Sequence, residues 1–183
     1  MNVLETGFRE IILLQLEPFA DARGVFVESY RRSAYARVGI DRTFVQDNFS
    51  QSRQGTIRGL HYQLRRPQGK LVHVTRGEVW DVAADIRQGS PTFGKWFGTT
   101  LSAENRRQLW IPEGFAHGFV VRSDIADVAY KITAEYDPDD DRAIAWNDPT
   151  LAIPWAVEAP LLSKKDAAAP PLAGNAHLPS YVP

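Results

Sequence analysis

The chain contains no cysteine, which removes disulfides, thiolate nucleophiles and Cys-ligated zinc and leaves carboxylate, imidazole, amine and phenol groups for any chemistry. Net charge is nearly absent as well. With 21 Lys and Arg against 22 Asp and Glu, the formal charge of -1 gives no field favouring nucleic acid or an anionic membrane, so a polyanion needs a local site. Long apolar runs are missing: none approaches the roughly 18 residues that span a bilayer. Residues 1–12 carry Glu5, Arg9 and Glu10 where a secretory signal needs its apolar stretch. The expectation is a cytoplasmic protein with neither nucleic acid nor membrane as partner.

What is present fits one all-β domain over 1–183. At 183 residues and 44% hydrophobic content, the chain can bury a substantial core. β-type segments are expected at 10–16, 24–30, 43–50, 55–64, 70–86, 93–101, 107–111, 118–121 and 127–134, punctuated by Gly, Pro, Asn and Asp. A short helix is expected over 33–38, with Ser33 as N-cap and Gly39 ending it. The Pro- and Ala-rich tail from about 168 to 183 lacks periodicity and is expected to wrap the surface or fray.

The chemically densest stretch is Arg58-Gly59-Leu60-His61-Tyr62-Gln63, followed by Gln68-Gly69-Lys70-Leu71-Val72. Buried Arg and Lys are costly unless paired, so two cations and an imidazole beside core strands suggest an anionic ligand or a developing negative charge. Period-2 alternation puts Phe115, His117, Phe119 and Val121 on one face, and Val128, Tyr130 and Ile132 on another. Strict alternation groups His61 and Gln63 with Ile57 and sends Arg58 to the opposite face. Arg58 and His61 reach one ligand only through a bulge or twist, for which Gly59 is suited.

Six motifs in order, running from about Phe19 to Asp166, carry a family resemblance. They are the stretch just quoted, Pro112-Glu113-Gly114-Phe115-Ala116-His117-Gly118-Phe119 with Tyr130-Lys131, Asp21-Ala22-Arg23-Gly24-Val25-Phe26-Val27-Glu28, Gln46-Asp47-Asn48-Phe49-Ser50, residues 85–94, and Leu161-Leu162-Ser163-Lys164-Lys165-Asp166. Together they resemble the dTDP-4-dehydrorhamnose 3,5-epimerases of the cupin superfamily. The resemblance implies a cupin-type double-stranded β-helix, or jelly-roll barrel, with a few short helices. It also implies a dTDP-4-keto-6-deoxy sugar as substrate in rhamnose synthesis, no cofactor, and a homodimer that exchanges N-terminal strands. Two positions depart from the family pattern. Asp141 stands where relatives usually carry the longer Glu, and Phe49 where His or Tyr is common.

Many cupins bind metal through an His-x-His pair, a nearby Glu and a later His in a Pro-x-Gly-x-x-His turn. The turn survives as Pro112, Gly114 and His117, but His61 is followed two residues later by Gln63, an unsuitable replacement for imidazole on a transition metal. No metal is expected.

Inverting a carbon beside a ketone needs a base for the α-proton, a group to hold the enolate oxygen and an acid on the opposite face. His61 suits the base, since neutral imidazole is available near pH 7, and an Asp on its other nitrogen would fix the tautomer. By the resemblance that Asp is Asp166. Lys70 suits the enolate, and Tyr130 suits the acid because a phenol keeps its proton at neutral pH. For the nucleotide, the resemblance points to Arg23, Arg58 and Lys165 as diphosphate contacts, and Phe26, Glu28, Gln46 and Asn48 could supply a thymine site. His117 and Asp141 are ligand contacts by the same resemblance. The alternatives are a related 3- or 5-mono-epimerase or keto-isomerase, a metal-dependent cupin, and a non-catalytic sugar-binding cupin.

Overall fold

The computed structural model of the chain describes residues 1–182. In chain order the strands are β1 (Asn2–Leu4), β2 (Ile12–Gln15), β3 (Phe19–Asp21), β4 (Gly24–Phe26), β5 (Gln46–Arg53), β6 (Ile57–Gln63) and β7 (Lys70–Arg76). Then follow β8 (Glu78–Asp85), β9 (Trp96–Ser102), β10 (Arg107–Ile111), β11 (Phe115–Val121), β12 (Ile125–Ile132) and β13 (Asp141–Ala143). Helix α1 (Arg32–Arg37) lies between β4 and β5, and α2 (Lys164–Ala167) follows β13.

The expected jelly-roll barrel does not form. Hydrogen bonds run β1-β2-β10-β7-β12-β5 in one sheet and β13-β6-β11-β8-β9 in the other, and each sheet ends on strands with a single neighbour. Strand order is cupin-like, but both sheets stay open and are stacked on each other rather than closed. Residues 70–86 read as a single β segment, yet Gly77, at φ +72°, turns the chain from β7 in the first sheet to β8 in the second. A Cβ there would sit 2.1 Å from the Ile125 carbonyl oxygen, so the turn is restricted to glycine.

Alternation along each strand builds the layers. Val72 and Val74 of β7, Val128 of β12, Val79 and Leu101 of β8 and β9, and Phe119 of β11 form a core between the sheets. The alternate residues face outward. Val82, Ala116 and Val120 meet Ile153, Trp155, Leu172 and Leu178 from the C-terminal segment. On the far side, Leu14, Leu71 and Trp110 are covered by Ala34 and Tyr35 of α1. Because both faces of β11 are covered, all seven of its residues are buried.

The tail does wrap the surface, but it is anchored. Leu172 and Leu178 are 2% and 8% exposed, and full burial of a Leu side chain contributes about 1.5–3 kcal/mol. The Gln88 N–H donates to the Pro179 carbonyl at 2.7 Å, and the Tyr181 N–H to the Gln88 carbonyl at 2.9 Å. Helix α1 starts one residue before the expected Ser33. Its N-cap is Arg31 with no side-chain hydrogen bond, so Ser33 is not the cap, while Gly39 follows the helix at φ +94° as expected.

Strands β3 and β4 pair only with each other and stand off both sheets. The turn is held by Asp21, which accepts the Arg23 N–H at 2.8 Å and its guanidinium at 2.6 Å. Phe19 and Phe26 pair at the base of this arm, their rings 6.4 Å apart, and are 68% and 69% exposed.

Candidate active site

The site opens between the two sheets at one end of the stack. A cavity of about 280 Å3 is lined by His61 and Gln63 of β6, Lys70 of β7, Tyr130 of β12, and Gln46 and Asn48 of β5, with Asp141 and Tyr136 at its mouth. The six-stranded sheet supplies Lys70 and Tyr130, and the five-stranded sheet supplies His61, so acid, cation and base come from opposite walls.

The bulge expected at Gly59 is present. Across β6 and β11, His117 faces His61 and Phe119 faces Arg58, so three steps on β6 oppose two on β11. Gly59 sits at φ +126°, where an added Cβ would be 2.5 Å from the Gly118 Cα and 2.6 Å from the His117 carbonyl oxygen. The extra residue changes the facing. Ile57 joins Leu60 and Tyr62 in the outer core, so it does not share a face with His61. Arg58 and His61 instead come to the same side, and the Arg58 charge acts on Tyr130.

His61 Nε2 lies 2.5 Å from Asp166 Oδ1, a hydrogen-bond contact between a one-third-exposed ring and a carboxylate only 3% exposed. Ser163 caps α2, accepting the Asp166 N–H at 3.0 Å, which fixes where that carboxylate points. Burial alone would raise the Asp166 pKa. The hydrogen bond and charge of His61, the bond from Ser163 and the Lys165 charge outweigh it, so Asp166 stays below the ordinary carboxylate value and ionised.

Lys70 is 7% exposed, and its ammonium donates to the His61 carbonyl at 3.4 Å. Desolvation pulls its pKa down to about 8, opposed by the charges of Asp141 and Asp81. Tyr130 is pushed up, chiefly by burial and secondarily by Asp141, against the lowering effect of Arg58. It therefore holds its proton at neutral pH. Beneath His61, the His117 ring contacts both oxygens of Asp81 at 3.0 and 2.9 Å. Burial lowers the His117 pKa despite Asp81, with Lys70 and His61 adding to the lowering, so the ring is neutral.

The structure brings most of the sequence-predicted residues together: His61, Lys70, Tyr130 and Asp166, then Gln46, Asn48, Asp141, Arg58 and His117. Lys165 reaches the mouth through an ion pair with Asp141, whose other partner is the Tyr136 hydroxyl at 2.9 Å. Arg23, Phe26 and Glu28 are not brought in; they lie on or beside the exposed arm, Arg23 against Asp21 and Glu28 against Arg31. Asp81 was missed. Its signal was present, an acid in the middle of the otherwise apolar Val79-Trp80-Asp81-Val82-Ala83. Tyr136, in a polar loop, gave none.

Gln63 is already committed: its amide donates to the Arg66 and Glu135 carbonyls at 2.8 and 3.4 Å and accepts the Asp137 N–H at 2.9 Å. Among the described residues no group of three His, Asp or Glu side chains is arranged to hold a metal ion. The loop 85–94 is also structural. Asp85 accepts Arg87 at 2.7 Å, Ser90 at 2.5 Å and Thr92 at 2.6 Å, while Arg87 packs 4.3 Å over the Phe115 ring.

An interior cavity between cupin-like sheets, with a carboxylate-backed imidazole and a protonated phenol converging on it, places the chain among isomerases that work by proton transfer. The family model for dTDP-4-dehydrorhamnose 3,5-epimerase matches residues 5–174, and the chain belongs to that family. It is 54% identical over 169 residues to the dTDP-4-dehydrorhamnose 3,5-epimerase of Neisseria gonorrhoeae, an alignment covering 92% of this chain and 52% of that protein. It is equally identical, 54% over 168 residues, to the Pseudomonas aeruginosa enzyme of the same name, covering 91% of this chain and 93% of that one. The crystal structure of the Legionella pneumophila dTDP-6-deoxy-D-glucose-3,5-epimerase in complex with dTDP-4-keto-L-rhamnose superposes with a TM-score of 0.96. That protein is 51% identical, with 100% of this chain and 99% of that chain covered.

Proposed function

We propose that the chain performs its family's reaction with the residues gathered in this cavity. It epimerises dTDP-4-dehydro-6-deoxy-D-glucose at C3 and C5 to dTDP-4-dehydro-L-rhamnose in dTDP-L-rhamnose biosynthesis. The observation that carries the residue roles is the 2.5 Å contact between His61 and Asp166 beside a buried Lys70. C3 and C5 both flank the C4 ketone. His61 removes the proton from one of them, the C–H electron pair moves into a C=C bond, and the carbonyl pair moves onto oxygen. Lys70 holds that enolate oxygen, and Asp166 stabilises the imidazolium. The Tyr130 hydroxyl then delivers its proton to the opposite face, the C=O bond re-forms, and proton exchange with water resets both groups before the second carbon turns over. Conversion of dTDP-4-dehydro-6-deoxy-D-glucose, followed by proton NMR of both stereocentres, tests the reading; a singly inverted product would assign a mono-epimerase instead.

Lys70 acts in its protonated form, and burial brings its loss of charge down from the ordinary Lys range to about 8. Turnover is therefore present below that value and lost as pH rises through it. A profile of kcat/KM should show an alkaline limb near pH 8, and Lys70→Arg, always charged, should push that limb upward; a flat profile through pH 10 would remove Lys70 from the role.

The relay needs no cofactor and no metal. Protein dialysed against chelator is expected to keep full activity, and a loss restored by a divalent ion would overturn this.

The diphosphate meets Arg58 and Lys165, and Gln46 and Asn48 contact the thymine with Phe26 and Glu28. In this reading the protein is a cytoplasmic homodimer, and the arm with Arg23, Phe26 and Glu28 completes the partner's site. Exposure of Phe19 and Phe26 on an arm whose strands pair with neither sheet of its own chain supports that arrangement. Mixing Arg23→Ala with His61→Ala subunits should then regenerate one intact site per heterodimer. If exchange is verified and activity stays at the level of the separate variants, the shared site is wrong.

A further inference from the structure

The arm can serve a second site only if its direction is fixed where it leaves the body, and the structure shows one buried device at that point. The return leg re-enters at Ser29 and Tyr30. The Ser29 carbonyl lies 2.7 Å from the Tyr35 hydroxyl and accepts the Gln108 side-chain N–H at 2.9 Å. Tyr35 and Gln108 also meet each other, hydroxyl to Oε1, at 2.6 Å. The hydroxyl has one proton for two acceptors, so the Gln108 amide supplies the second donor that keeps Ser29 satisfied. Tyr35, on α1, is 1% exposed and Gln108, on β10, is 2% exposed, so the bond between them is shielded from water, while the bonds to the exposed Ser29 are partly buried. Next to them, the Tyr30 ring packs 4.9 Å from Tyr35 and 5.3 Å from Phe44.

We infer that Tyr35 and Gln108 are positioning residues for substrate binding in trans, fixing the angle at which the arm carries Arg23, Phe26 and Glu28 into the partner's cavity. Neither side chain lines the cavity that holds His61, Lys70 and Tyr130 of its own chain. Their effect therefore passes through the Ser29 carbonyl and the arm. The outgoing leg has a separate tie, the Leu16 N–H to the Arg106 carbonyl at 3.3 Å, so removing one of the two bonds to Ser29 loosens the return leg alone and widens the range of angles the hairpin takes. This inference rests on the shared-site reading above.

Tyr35→Phe keeps the ring and deletes the hydroxyl. The homodimeric variant is expected to raise KM about tenfold, the scale of one lost buried hydrogen bond, while kcat at saturation is retained. The decisive measurement uses heterodimers with one working body. In Tyr35→Phe paired with His61→Ala, the working site receives an arm from a subunit with intact Tyr35, and KM should be that of the wild type. In wild type paired with Tyr35→Phe/His61→Ala, the working site receives the loosened arm, and KM should rise about tenfold. The opposite pattern, or a KM unchanged in both pairs, would show Tyr35 to be ordinary packing in its own subunit and overturn the inference. Gln108→Met, run through the same pairs, gives the answer if Tyr35→Phe does not fold. The Arg23→Ala and His61→Ala mixture serves as control. If it complements, only the positioning role is at stake; if it does not, the shared site fails and this role falls with it.

Discussion

His61→Ala is expected to lower kcat by roughly 10² to 10⁴, the contribution of a positioned general base, and in deuterated water to stop deuterium entering at both C3 and C5. The other titratable side chains here are committed elsewhere, Asp141 to Lys165 and the Tyr136 hydroxyl. Lys70 is protonated at neutral pH, Tyr130 is held above its ordinary pKa, and His117 is tied to both oxygens of Asp81 behind the cavity wall. Asp166→Asn should cost nearly as much, because the amide cannot stabilise the imidazolium and can hold the wrong tautomer. Since the pair acts as one unit, the double variant should be little worse than His61→Ala alone. Deuterium entering either carbon at the wild-type rate in folded His61→Ala would sink the assignment. Additive losses in the double variant would separate Asp166 from His61.

How much of this was legible in the sequence depended on the range of the interaction. Faces set by local alternation came through: Phe115, His117, Phe119 and Val121 do share the inner face of β11. The Gly59 bulge was also readable, because a glycine between two chemically important residues of unlike parity needs a reason. Its effect on Ile57 was not, since a bulge inverts the parity of everything on one side of it and alternation cannot say which side moves. The closed barrel failed for a different reason. Closure depends on whether the edge strands β1, β5, β9 and β13 find second neighbours, and no local pattern encodes that pairing.

The site divides in the same way. His61, Lys70 and Tyr130 stood out as polar groups on strands that were otherwise apolar. The pairing of His61 with Asp166, 105 positions further along, came only from the family resemblance, because spacing carries nothing across that distance. Asp81 was overlooked although it is the same kind of signal as His61. A charged residue in mid-strand marks a buried partner, and here that partner is His117. The stretch 85–94 shows the reverse case. It carries family character without chemistry, its Asp85 and Arg87 being spent on a buried loop network.

The remaining large effect concerns the proton that returns. Tyr130 shares its face with Val128 and Ile132, and the bland alternative is an aromatic packed for its ring alone. Tyr130→Phe separates the two, keeping the ring and its apolar contacts while removing only the acidic hydroxyl. Burial holds the phenol protonated, and the nearby Arg58 charge supports the phenolate that forms once the proton has gone. Without it, His61 still forms the enolate and can return the same proton to the same face, or exchange it with solvent first. Deuterium incorporation with retained configuration should therefore persist in the variant, while doubly inverted product falls by roughly 10² to 10⁴. His61→Ala predicts neither exchange nor product, so the two variants differ in the isotope measurement even where both are nearly inactive in product formation. Wild-type yields of doubly inverted product from a folded Tyr130→Phe protein would show that the phenol is not the donor, and would leave water entering at the cavity mouth to carry the proton.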